Sequence, residues 1–254
     1  MENERSALIY EVKAHAAWLT INRERRRNAI SPEAIELFFA HLETARADDA
    51  VRAVCVTGAG DVAFCSGADL SAGSESGPQR YADLLKHMAS YPKPIVGRLN
   101  GDCLAGGLGL MLSCDIVYAR RGIAIRTPEV RVGLFPMMIG ALILRNAARK
   151  QALEMIYTAR KYSADEAREM GMITRVCPAE ELDHEVDRTL SEIAANGPAA
   201  IRIGRRAFAE AEKMDLESAL DYLCSQLGEV MKTEDAMEGI TAFFEKRPPV
   251  FKNR

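Results

Sequence analysis

The segment Asn100-Gly101-Asp102-Cys103-Leu104-Ala105-Gly106-Gly107-Leu108-Gly109-Leu110 joins a short apolar run at residues 94–99 to a helix-forming stretch. Small residues in a strand-to-helix turn let the backbone approach a ligand closely. The first turn of the helix leaves N–H groups unpaired and partly positive. A second segment of this kind, Ala63-Phe64-Cys65-Ser66-Gly67-Ala68-Asp69-Leu70, follows a strand-like run at 51–57 and the turn Gly58-Ala59-Gly60. One N–H from each loop can meet on a single oxygen, the layout of an oxyanion hole. Each loop alone reads equally as a tight turn whose glycines serve packing. Neither supplies a phosphate-binding GxxxxGK[ST] or a dinucleotide fingerprint.

Outward from these loops, the chain alternates strand and helix. Residues 8–12 and 17–21 are β-rich runs around 13–15, which suits a hairpin. Ser31-Pro32-Glu33 opens a helix: serine caps free amides, proline fits the first turn, and glutamate suits the positive end of the dipole. Ile35, Phe38, Phe39, Leu42 and Ala45 then recur at helical spacing. Runs at 51–57, 94–99 and 115–119 separated by helical stretches predict an α/β fold of βα units with a largely parallel sheet. From about residue 140 the pattern is almost all helix. It includes a capping box at Ser163-Ala164-Asp165-Glu166 and a stop at Gly171. Residues 72–80 read as a loop. The expected organisation is an α/β core over 1–195 and a C-terminal helical region over 196–254.

The 254 residues are 48% hydrophobic and 27% charged, an ordinary globular balance. The net charge of -3 gives no basic field for nucleic acid. The six cysteines, Cys55, Cys65, Cys103, Cys114, Cys177 and Cys224, form no CxxC pair, and there are four histidines. This predicts neither a metal site nor a disulfide framework, but reduced thiols in a cytoplasmic protein. The N-terminus lacks a secretory apolar region, and the apolar stretch 103–119 is interrupted by Asp115 and three glycines. No membrane span is expected.

A third element is Thr127-Pro128-Glu129-Val130, followed by Gly133-Leu134-Phe135-Pro136. Glu129 lies among apolar residues. Burial there would raise its pKa, as acid–base work near neutral pH requires. Alone, it reads also as an ordinary helix-start glutamate.

In order along the chain, AFCSGADL, NGDCLAGGLGLMLSCDIVYA, RTPEVRVGLFP, YSADEAREMGMITRV and AFFEKRPPVFK resemble the signatures of the crotonase (enoyl-CoA hydratase/isomerase) superfamily. The resemblance spans about residues 7–252. It implies a crotonase-type spiral of βα repeats with a C-terminal helical trimerisation region, as a homotrimer or homohexamer. It implies an acyl-CoA substrate, with CoA part of that substrate and no separate cofactor. It implies that the backbone N–H groups of Ala68 and Gly106 form an oxyanion hole and that Glu129 is the catalytic acid or base. Arg25, Arg26 and Arg27 resemble the segment that holds the CoA nucleotide, and Asp69 and Leu70 would continue along the pantetheine. Phe243 and Lys246 match positions that reach CoA on a neighbouring subunit.

The chain departs from the two-glutamate pattern of the hydratases, because Gly109 stands where the other glutamate belongs. Isomerase relatives place an acid nearer 135–138, where this chain has Met137 and Met138. The two methionines and the space over Gly109 are expected to form an apolar acyl pocket. Asp69 or Glu75 are candidates for a replacement acid. The expected reaction is hydration or dehydration of a 2-enoyl-CoA. The alternatives are isomerisation, other enolate chemistry such as decarboxylation or thioester hydrolysis, and a non-catalytic acyl-CoA-binding protein.

Overall fold

The computed structural model describes residues 6–69 and 77–254. Strands β1 (Leu8–Lys13) and β2 (Ala16–Ile21) form the expected antiparallel hairpin. Helix α1 (Pro32–Ala47) starts where the sequence predicts, with the Ser31 hydroxyl accepting the Ala34 N–H. Its buried face is Ala34, Ile35, Phe38, Leu42 and Ala45.

The chain then winds in a spiral whose turns each give one strand to each of two sheets. Strand β3 (Ala53–Gly58) is followed by β4 (Ala63–Cys65) and α2 (Gly77–Ala89). The next turn is β5 (Ile95–Leu99), β6 (Asp102–Leu104) and α3 (Gly106–Leu112), and the one after that begins β7 (Ile116–Arg120), β8 (Ala124–Arg126). The larger sheet runs β1-β2-β3-β5-β7-β10, parallel except for the hairpin, and the smaller runs β4-β6-β8-β9. Strands β9 (Tyr162–Ser163) and β10 (Arg175–Cys177) close the two sheets.

The repeat is therefore strand–strand–helix. The sequence reading places the longer strands, takes β4 and β6 for loop and assigns nothing at β8. Each of these short strands has three residues, too few for a two-residue alternation to register. Likewise, residues 77–80 of the expected loop belong to α2.

Strand β3 is buried along its whole length, as a parallel strand covered on both faces should be. On one face Val54 and Val56 pack with Phe38 and Leu42 of α1 and Leu84 and Met88 of α2. On the other, Trp18, Cys55, Val96 and Tyr118 meet Leu182, Val186 and Leu190 of α7 (Leu182–Ala194).

Between β8 and β10 lie α4 (Met137–Asn146), α5 (Arg149–Thr158) and α6 (Ala164–Glu169). Helices α4 and α5 are separate, because the chain leaves the helix after Asn146 with Ala147 extended. Ser163 and Glu166 form the predicted capping box, and Gly171 (φ 89°) the predicted stop. Helices α8 (Pro198–Ala211), α9 (Leu216–Met231) and α10 (Glu234–Glu245) complete the chain. Arg205 ties α8 to the spiral through Asp115 and the Met88 carbonyl. Among the described residues no helix is long and apolar enough to cross a membrane.

Two buried asparagines fix the turn between β3 and β4. Asn28 Nδ2 donates to the carbonyls of Ala59 (2.9 Å) and Ala63 (2.7 Å), while its Oδ1 accepts the Arg23 N–H. Asn100 Oδ1 accepts the Gly58 N–H, and its Nδ2 donates to the Gly60 carbonyl. Asn28 has φ 54°, a conformation asparagine tolerates better than most residues. Asn28→Ala strands buried carbonyls without donors and is expected to cost about 2 kcal/mol, read as a lower urea midpoint at unchanged slope. An unchanged midpoint would show that the turn holds without it.

Candidate active site

The first loop owes its shape to pairing with the basic turn. Ile30 N–H donates to the Gly67 carbonyl (2.8 Å) and Asp69 N–H to the Ile30 carbonyl (2.9 Å), a parallel bridge between Ile30 and Ala68. In extended chain, successive N–H groups point to opposite sides. The Ala68 N–H therefore faces away from Ile30, and it has no acceptor among the described residues. Ala68 itself is exposed.

The second loop ends at Ala105, which caps α3 with φ 49° and ψ −128°, a strained setting for a residue with a Cβ. Ala105 N–H donates to the Arg126 carbonyl (2.9 Å), so strand β8 fixes the turn. Gly106 opens the helix, where an N–H has no partner within the helix. It too lacks an acceptor among the described residues.

The two turns touch backbone to backbone. A Cβ on Gly106 would stand 3.4 Å from the Ala68 nitrogen, and one on Gly67 3.0 Å from the Gly106 nitrogen. Gly67 has φ 99°, and a Cβ there would also collide with that of Ala105 at 2.8 Å. Gly107 is pressed to the carbonyl oxygen of Cys65, which a Cβ would meet at 2.4 Å. Only glycines allow this approach. The expected pair of amides thus lies on adjoining turns, each N–H without an acceptor among the described residues.

Glu129 begins a 3-10 turn (Glu129–Val132) three residues beyond Arg126, the residue bonded to Ala105. Buried Thr127 anchors this turn by donating to the Met155 carbonyl of α5. The Glu129 carboxyl is half-buried, and its Oε2 is buried with no hydrogen-bond partner. Burial raises its pKa above the ordinary 4.5. An unpaired buried carboxyl oxygen costs stability unless a bound molecule or water meets it.

Asp69 pairs with Arg23 at 2.7 Å, and Arg23 also donates to the Ala29 carbonyl, so Asp69 braces the basic turn rather than standing as an unpaired acid. Arg25, Arg26 and Arg27 are exposed on that turn. The Ser66 N–H donates to the Arg27 carbonyl, which holds the turn against the first loop. Leu70 and Glu75 lie outside the described residues. Phe243 is exposed near the end of α10, and Lys246 caps that helix. His87 packs between Phe39 and Tyr91, away from both loops.

The space expected over Gly109 does not exist. A Cβ there would lie 2.6 Å from the Tyr81 Oη, 3.0 Å from Ile139 Cγ2 and 3.1 Å from Leu85 Cδ1. The sequence reading took the missing side chain for room, whereas α2 and α4 fill it. Met137 and Met138 are exposed at the start of α4, and their neighbour Ile139 is the residue that reaches Gly109. Tyr81 was missed altogether.

Cys65 and Cys103 lie close by, but burial pushes the Cys65 thiol up to about 12 and Cys103 also far above its ordinary value. Both are neutral packing groups, not nucleophiles. Among the described residues no three His, Cys, Asp or Glu side chains are grouped so as to hold a metal ion.

Comparison with known proteins gives a consistent result. The family model described as "Enoyl-CoA hydratase/isomerase" matches residues 11–254. The short-chain-enoyl-CoA hydratase of Clostridium acetobutylicum is 31% identical over 260 residues, covering 99% of this chain and 100% of that one. The crystal structure of enoyl-CoA hydratase from Bacillus anthracis superposes with a TM-score of 0.92 at 30% identity, covering 98% of this chain and 100% of the other. That of human enoyl Coenzyme A hydratase domain-containing protein 3 gives 0.92 at 28% identity, with 96% and 100% covered.

Proposed function

As this chain belongs to the enoyl-CoA hydratase/isomerase family, we propose that it is an enzyme of acyl-CoA thioesters that works through an enolate held by main-chain donors. The observation that carries this reading is the meeting of two amides, Ala68 and Gly106, that have no acceptor among the described residues and sit on turns in direct contact. A thioester oxygen accepting both N–H groups gains negative charge as the α-carbon becomes nucleophilic or as a nucleophile adds at the β-carbon. Backbone donors cost no rearrangement when that charge appears.

The reaction we assign is addition of water to a 2-enoyl-CoA, or its reverse. Glu129 takes a proton from water in the forward direction, and the resulting acid returns a proton to the α-carbon. A raised pKa suits a group that must hold and release a proton in turn. A second reading, double-bond isomerisation, is favoured by one observation: the site of the other carboxylate is filled by Tyr81, leaving a single proton carrier to serve two carbons.

CoA enters as substrate, not as a resident cofactor. Its phosphates would lie by Arg25, Arg26 and Arg27, and its pantetheine along the chain after Ala68, including Asp69 and Leu70. Met137 and Met138 would flank the acyl group. Helix α9 buries none of its residues, and Leu216, Leu220, Leu227 and Met231 form an exposed apolar row along it. Such a row supports assembly of copies through the helical region 196–254 packed on the 1–195 core, as a homotrimer or homohexamer. Phe243 and Lys246 would then reach the CoA of a neighbouring subunit. We place the enzyme in the cytoplasm, acting on small molecules rather than nucleic acid.

Crotonyl-CoA is the first test. Hydration removes the conjugated enone absorbance and adds the mass of water, isomerisation changes neither formula nor mass, and decarboxylation of a suitable acyl group loses carbon dioxide. Water gained by crotonyl-CoA supports hydration. Mass-neutral conversion of a 3-enoyl-CoA with no water added transfers the assignment to isomerisation. Inertness toward a broad acyl-CoA panel, with CoA still bound, makes the protein a binder and sinks the enzymatic reading.

A further inference from the structure

Tyr81 lies on α2, outside every motif that the proposed reaction uses, yet it touches the oxyanion turn directly. It is 7% exposed. Its hydroxyl donates to the carbonyl oxygen of Gly106, the residue whose N–H is one of the two unpaired donors. The same oxygen stands 2.6 Å from where a Cβ on Gly109 would be, so it occupies the space into which a side chain at 109 would project. Leu85, one helical turn further along α2, closes the same space with Ile139.

The first turn of α3 is thereby gripped from two sides. Gly107 rests on the Cys65 carbonyl of β4, and Gly106 is held by Tyr81 from α2. Just before them stands Ala105, in a strained conformation that only surrounding contacts can maintain. Burial, with Cys65 and Cys103 nearby, keeps the Tyr81 hydroxyl protonated far above its ordinary range, against the opposite pull of the Leu110 N–H. It is thus a constant donor and no base.

We propose that Tyr81 is a positioning residue of this site: its hydroxyl, seated over Gly109, holds the Gly106 carbonyl, which lies in the peptide next to the one carrying the Gly106 N–H, and by restricting the Gly106 torsions between the two peptides it keeps that N–H aimed at the thioester oxygen. The inference rests on the acyl-CoA reading above. It puts a neutral anchor for the oxyanion hole over Gly109, where the family resemblance would put a glutamate.

The test uses 4-(dimethylamino)cinnamoyl-CoA, a push–pull thioester whose absorption moves to longer wavelength as its carbonyl is polarised. Tyr81→Phe keeps the ring and removes the hydroxyl. It is expected to bind the probe within about twofold of the parent, to give less than half the parent's shift per bound probe, and to lower kcat about tenfold at similar KM, the size of one neutral hydrogen bond. Gly109→Ala, which drives a methyl onto the hydroxyl, is expected to reproduce the loss. Its effect should largely vanish in the Tyr81→Phe background, where the oxygen it displaces is gone.

An equal shift and kcat in parent and Tyr81→Phe overturn the inference alone. So does a loss of melting temperature and binding with the shift per bound probe intact, which marks a structural role. Strict additivity of the two substitutions overturns it as well. No shift with the parent protein overturns the acyl-CoA reading and this inference with it.

Discussion

Replacing Glu129 by glutamine is expected to lower kcat by about a hundred- to ten-thousandfold while leaving acyl-CoA affinity nearly unchanged. Glutamine keeps the shape of the side chain and removes its proton chemistry. A side chain at position 109 would meet Tyr81, and Asp69 is paired to Arg23, so among the described residues neither position offers a carboxylate to substitute. In the parent, kcat/KM for hydration should rise on the acidic side through a pKa above the ordinary 4.5, as Glu129 ionises, and the variant should lose that limb.

The stability change has the opposite sign. A folded-state pKa raised by burial means that the fold prefers the neutral carboxyl. Stability contributed by this group is therefore present below the unfolded value and lost as pH rises through the folded one. Glu129→Gln should melt higher than the parent at neutral pH, with the difference closing below about pH 4.5. A variant that retains turnover removes Glu129 from the mechanism. One that is inactive but no more stable at neutral pH argues that the burial cost is met by a partner formed in solution.

Ala68→Pro is expected to reduce turnover by about a hundred- to thousandfold, the size of one lost oxyanion donor. Side-chain truncation cannot ask this question, because the donor is main chain. Proline deletes the N–H itself. The fold should tolerate the change, since the bridge to Ile30 uses the Gly67 carbonyl and the Asp69 N–H but not the Ala68 N–H. Ala68→Ser, which keeps the donor, should stay within about threefold of the parent, because it alters only an exposed side chain. The check is kcat for both variants beside their melting temperatures. Full activity in the proline variant with an intact fold would mean that the Ala68 amide never meets the reacting oxygen.

The parts of this molecule legible in sequence are those that local chemistry dictates. Ser31 and Ser163 announce helix starts, and Gly171 a stop, since capping needs those residue types at those places. The two small-residue loops stand out because close backbone approach excludes Cβ atoms, and Gly67, Gly106 and Gly107 prove to be the points of approach.

What stayed hidden is tertiary. Strands β4, β6 and β8 are shorter than any periodic signal. The pairing of Asp69 with Arg23 joins residues 46 positions apart, which no local pattern announces. Tyr81 carries no motif, and only the fold sets α2 against α3. A signal was nonetheless present: Gly109 sits inside an apolar helix, where glycine costs about 1 kcal/mol relative to alanine. That cost is tolerated when a neighbour presses on the helix, and here the neighbour is a tyrosine hydroxyl rather than an empty space.

The contact between Tyr81 and Gly109 also limits how this site can be rebuilt. A glutamate introduced at 109 meets a volume that Tyr81, Leu85 and Ile139 already occupy. A smaller residue at 81 would clear part of it, and that step surrenders the hydroxyl that holds the Gly106 carbonyl. Installing a second carboxylate is therefore a redesign of α2 together with α3, not a single substitution.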